Sequence, residues 1–166
     1  MTARFALLWM THVWNRELEA EFERFLQINY PGSPDVWLIL DSSTPGAMDL
    51  ARRYERCHVF RVNEMFQRLS YPRINNKTLY NHVHFPILDF FHSHSEYDHY
   101  WVIEFDVRYT GEWEILLRSF ESFNQDLITK TSECPYLSCV IGKFPYGIVD
   151  LYLLSLTMHP VNKPFH

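Results

Sequence analysis

The chain has 166 residues, the length of one domain that buries roughly 70% of its unfolded surface, so residues 1–166 are read as a single domain. A hydrophobic share of 47%, with 21% charged residues and only 5 Gly, excludes a disordered, collagen-like or low-complexity chain. Fifteen Lys plus Arg against 20 Asp plus Glu leave a net charge of -5, the wrong balance for a nucleic-acid binder that needs a basic stripe.

The first apolar run, at 5–10 (Phe-Ala-Leu-Leu-Trp-Met), is continuous rather than alternating, as in a strand covered on both faces. It is too short for a secretory leader or a membrane span, so a cytoplasmic chain without a membrane span is expected. Leu18, Phe22, Phe25, Leu26 and Asn29 recur at helical spacing behind Asn15, a good N-cap, and Tyr30-Pro31-Gly32 stops the pattern. A second continuous run at 36–40 (Val-Trp-Leu-Ile-Leu) completes a βαβ unit. There follow a short helix over 45–53, a strand over 59–62 and a polar loop over 67–77 that contains Pro72. An aromatic helical stretch over 79–91 leads to a fourth strand over 100–105 (Tyr-Trp-Val-Ile-Glu-Phe). Trp113, Leu116, Leu117 and Phe120 then make a helical stripe, with Glu112 and Glu114 in the first turn where the helix dipole favours acids. Residues 127–129 read as a short fifth strand, and 142–166, with three prolines, as an irregular C-terminal segment.

This alternation predicts an α/β fold with an open, mainly parallel sheet and helices on both faces. Its core should include Leu7, Leu8, Leu38, Ile39, Val102 and Ile103, which sit mid-run. Ligands bind such sheets outside the carboxyl ends of the strands, and those ends carry Thr11, His12, Asp41, Ser42, Asn63, Glu104 and Asp106. The turn after the first strand, Thr11-His12-Val13-Trp14-Asn15, has no glycine, which demotes dinucleotide-binding and phosphate-loop functions.

The most informative piece is Glu104-Phe105-Asp106-Val107, preceded by Tyr-Trp-Val-Ile. Residues two apart on a strand share a side, so Glu104 and Asp106 can face the crevice together while Phe105 turns away. Two carboxylates placed together repel, and a divalent cation with a taste for hard oxygen ligands, Mg2+ or Mn2+, relieves that repulsion. The plainer alternative is a solvated strand end, with Arg108 as the counter-ion.

The segment resembles the Asp-x-Asp region of GT-A-fold glycosyltransferases, nearest to the Leu-Glu-Asp-Asp-Val type of lipooligosaccharide glycosyltransferases. The likeness runs from residue 5 to 130 in element order and over about ten residues in motif. Phe105 stands where that family often has an acid, and Glu104 where an aspartate is usual. The resemblance implies a nucleotide-sugar donor, an acceptor glycan or other acceptor, and Mn2+ or Mg2+ held by Asp106 and Glu104. Such enzymes carry a longer acceptor region, so a truncated or non-catalytic binding module of the same fold is the alternative.

Other donor-site candidates are Thr11, His12 and Asp41 at strand ends, and Arg73 and Lys77, whose charges could meet a diphosphate. Trp113 is a candidate for sugar stacking, against the alternative of a core anchor. Asp150 and His159 are possible catalytic bases by residue type only. His82, His84, His92 and His94 raise a third reading, a histidine-dependent metal hydrolase. On a helix, however, residues two apart lie about 200° apart and cannot grip one ion. Cys57, Cys134 and Cys139 show no CxxC spacing and read as reduced, buried thiols.

Overall fold

A computed structural model describes residues 4–69, 84–107, 109 and 111–120, and the backbone of 127–128 and 154–157. Strand β1 (Phe5–Thr11), helix α1 (Arg16–Leu26) and strand β2 (Asp35–Asp41) form the expected βαβ unit. They are followed by α2 (Ala47–Arg53), β3 (Cys57–Phe60), α3 (Val62–Leu69), α4 (His84–Ser93), β4 (His99–Glu104), α5 (Trp113–Phe120), β5 (Leu127–Ile128) and β6 (Leu154–Thr157). The sheet order is β3-β2-β1-β4-β6-β5. The first four of these strands are parallel, while β6 runs antiparallel to both β4 and β5.

The pleat explains why the strand runs are continuously apolar. Leu7, Trp9, Leu38, Leu40, Trp101 and Ile103 enter a core formed with α1, α2 and α5. Their neighbours in sequence, Ala6, Leu8, Met10, Ile39, Tyr100 and Val102, enter a second core under α3 and α4. Strands β1, β2 and β4 therefore bury both of their sides, as expected where helices cover both faces of a sheet. All six residues expected at the core are at most 3% exposed.

Local signals account for the element ends. The Asn15 side chain accepts the Leu18 N–H at 3.0 Å and caps α1, with Glu17 and Glu19 in the first turn. Asn15→Ala should lower stability by about 1 kcal/mol, read as a shift in the urea midpoint at unchanged slope. Helix α1 stops at Leu26, three residues before Asn29: Leu26 is already exposed, the Gln27 N–H closes onto the Arg24 carbonyl and the Ile28 N–H onto the Phe25 carbonyl. Gly32 and Gly46 adopt positive φ, 91° and 77°, in the turns before β2 and α2, where a Cβ would be strained.

Three expectations are corrected. The third strand is Cys57–Phe60, and Val62 opens α3 instead of ending the strand. Helix α3 reaches Leu69, so 67–69 of the expected loop are helical, and Met65 and Phe66 pack on the second core. The segment 142–166 contains β6, which extends the sheet beyond β4. Cys57 is half-buried and a free thiol, and burial pushes it up to about 11, which suits a structural cysteine. Cys134 and Cys139 lie outside the described residues. Among the described residues no helix is long and apolar enough to cross a membrane.

Candidate functional site

Parallel pairing brings the carboxyl ends of β1, β2, β3 and β4 to one edge. The chain steps outward from β1 through β2 to β3, then returns to place β4 on the other flank of β1. Strand order thus reverses between β1 and β4, and a crevice opens at such a switch point because successive connections leave in opposite directions. The residues just past these two strands are His12 on one side and Phe105 and Asp106 on the other.

Strand β4 ends at Glu104, whose register partner is Met10. The Phe105 N–H still donates to the Met10 carbonyl at 2.9 Å, and the Val107 N–H closes a turn onto the Glu104 carbonyl at 3.0 Å. Asp106 therefore sits in the turn and not on the strand, so the two-residue pleat is not what relates it to Glu104. The turn nonetheless leaves the carboxylates close enough to interact. Burial pushes the Glu104 carboxyl above the usual range, the Asp106 charge adds to that push, and His12 opposes it. Glu104 is half-buried and Asp106 exposed. Neither has an ion-pair partner among the described residues. Arg108, the counter-ion of the plainer reading, lies outside the described residues.

Phe105, expected to turn away from the crevice, packs its ring edge-on against His12 at 4.9 Å and touches the first core. It holds the turn after β4 against the turn after β1. An aromatic residue between two acids was the available signal, since a solvated loop needs no such anchor.

The remaining candidates separate cleanly. Thr11 is buried, and its hydroxyl donates to the Val13 carbonyl at 2.6 Å and accepts the Val13 N–H at 3.1 Å, so it shapes the turn that presents His12. His12 itself is exposed. Asp41 ends β2 and accepts the Ser43 N–H at 2.8 Å, an Asx turn that leaves it half-buried at the same edge with no ion-pair partner among the described residues. Trp113 is corrected: it is 3% exposed, lies against Phe25 at 4.8 Å and Tyr109 at 5.0 Å, and donates its indole N–H to Glu21 at 3.3 Å. It is spent in the core, with no ring surface left for a sugar. Arg73, Lys77, His82, Asp150 and His159 lie outside the described residues.

The switch point offers two carboxylates, the residue type a hard divalent cation takes, with the Asp106 charge helping to raise Glu104 and no protein cation between them among the described residues. Among the described residues no three His, Cys, Asp or Glu side chains are grouped to hold an ion, at the switch point or around the histidines, so the protein offers two ligands there and the rest of a metal's shell would come from the ligand and water. His92 lies in the last turn of α4, and His94 packs on Trp37 and Phe90 at 4.3 and 4.5 Å.

Fold and site together define an α/β protein with an open, mainly parallel sheet and two neighbouring carboxylates at its topological switch point. A family model described as a protein of unknown function (DUF3405) matches residues 57–132. The matched stretch starts at β3 and takes in the Glu104-Phe105-Asp106 turn. No curated protein matches the chain.

Proposed function

We propose that the chain binds a nucleoside-diphosphate sugar at the crevice between β1 and β4, through a divalent metal held by Asp106 and Glu104, and transfers the sugar to an acceptor. The observation that carries this reading is the carboxylate pair at the switch point of the sheet, without an ion-pair partner among the described residues. A bound Mn2+ or Mg2+ would neutralise the charge that gathers on a departing nucleoside diphosphate. Asp106, exposed in its turn, is the more accessible metal ligand, and Glu104, half-buried behind it, is the second. The Thr11 turn and the Phe105 ring fix His12 beside them, where an imidazole can donate to a phosphate oxygen. Asp41, at the end of the adjacent strand, offers an acceptor for ribose hydroxyls.

Calorimetric titration with UDP- and GDP-sugars, with and without Mn2+, tests the reading. Saturable binding that requires the metal supports it. Absence of binding to either donor class with Mn2+ present overturns it in favour of a non-catalytic scaffold of the same fold. Metal binding indifferent to the nucleotide overturns it as well.

A further inference from the structure

On the opposite helical layer from α1 and α5, α4 places a carboxylate in the second core. Asp89 is 1% exposed and lies between Ile87 and Phe90, which are buried alongside it. A lone charge there would be costly, and two neighbouring elements supply its partners. Arg68, in the last turn of α3, forms a fork with Nε on one carboxylate oxygen at 2.9 Å and an Nη on the other at 2.7 Å. His58, from β3, places Nε2 3.0 Å from the second oxygen. We propose that Arg68, Asp89 and His58 form an acid-released clasp that fixes α3 and α4 to the outer strand of the sheet.

Charge counting gives the clasp its direction. Arg68 alone neutralises Asp89, so a neutral His58 can donate its Nε2–H and leave the site balanced. A proton added to His58 creates a surplus positive charge in a site it shares with Arg68 from α3 and with His94, just past α4, whose ring is 6.0 Å away. The neighbours from β2 and α4, Trp37 and Phe90, carry no charge to compensate it. The acids nearby serve other partners: Glu96 lies 3.7 Å from His94, and Glu64 pairs with Arg61. Burial accordingly pushes His58 below its usual value, and the charges of His94 and Arg68 push the same way against the attraction of Asp89. Burial raises the Asp89 carboxyl, but the hydrogen bonds from Arg68 and His58 outweigh it and hold the group ionised below the usual range. A depressed histidine leaves stability intact above its unfolded-state value of about 6.5 and withdraws it as the pH falls through the folded-state value.

The test is thermal melting of the full chain between about pH 7.5 and 5.5, the range in which histidine titrates, together with an NMR titration of the His58 ring. His58→Gln keeps an N–H donor but cannot titrate. It should lose less melting temperature on acidification than the parent, and in the parent the ring should titrate below the ordinary imidazole value. Arg68→Gln should reverse the sign: among the described residues His58 becomes the one cation beside Asp89, its ring titrates above the ordinary value, and its proton becomes stabilising. Arg68→Lys, which keeps the charge, should retain the parent's sign. Equal acid sensitivity in His58→Gln and the parent overturns the clasp, as does an Arg68→Gln protein that keeps the parent's sign. Should a variant fail to fold, the parent's ring titration decides: a value at or above the ordinary one overturns the proposal. None of these outcomes depends on donor binding at the crevice.

Discussion

Replacing Val102 by aspartate should leave no cooperatively folded protein at 25 °C. Val102 lies mid-strand in β4, 3% exposed, with β1 on one flank and β6 on the other. Its side chain sits in the core under α3 and α4 beside Leu8, Met10, Tyr100 and Phe90. The clasp at Asp89 shows what a carboxylate needs to survive in this layer, namely a bidentate arginine and a second donor. Aspartate at 102 would be confined among apolar side chains. An unpaired buried charge costs several kcal/mol, against a total stability of about 5 to 15 kcal/mol for a domain. Circular dichroism and a melting curve check this, and a cooperative transition near the parent temperature would contradict it.

Asp106→Asn should have the opposite profile, an unchanged fold with the proposed function removed. Asp106 is exposed in the turn after β4 and makes no ion pair among the described residues, so its loss should change stability by less than about 0.5 kcal/mol. The amide keeps the shape of the carboxylate but not the charge that a divalent cation seeks. Mn2+-dependent binding of a nucleotide-sugar should fall below detection in calorimetry, with the melting temperature held within about 2 °C. Equal affinity in the variant would reject Asp106 as a ligand. A companion Glu104→Gln removes the half-buried carboxylate that burial and Asp106 destabilise, so the fold should tolerate it while metal binding weakens.

The parallel sheet was legible because continuous apolar runs such as 5–10 and 36–40 have only one economical use, a strand buried on both faces. Helix α5 was legible in full, since Trp113, Leu116, Leu117 and Phe120 mark a single buried stripe and all four are buried. Helix α3 was not. Val62-Asn63-Glu64-Met65-Phe66 opens with a β-branched residue next to a strand, so the local pattern continues β3, and only packing on the second core makes it helical. Strand β6 escaped because its pairing with β4 joins residues about a third of the chain apart and has no local signature. At the site, the strand ends were readable from the runs themselves, but the side chains' commitments were not. Trp113 beside an acidic motif looks the same in sequence whether it meets a sugar or Phe25, and Asp106 looks like strand until a turn bond from Val107 takes it off the pleat. Asp89 was the missed clue, a single acid inside the apolar stretch Ile-Leu-Asp-Phe-Phe.

The division of alternate strand residues between two cores has an optical corollary. Of the five tryptophans, Trp9, Trp101 and Trp113 belong to the layer of α1 and α5, and Trp14 packs against it. Trp37 alone packs against the layer of α3 and α4, with its indole N–H donated to the Tyr97 hydroxyl at 3.0 Å and its ring against His94. Intrinsic emission is therefore an unequal readout, dominated by one side of the molecule. The difference spectrum between the parent and Trp37→Phe isolates the other side, where a lone indole beside a titratable ring reports on its own layer.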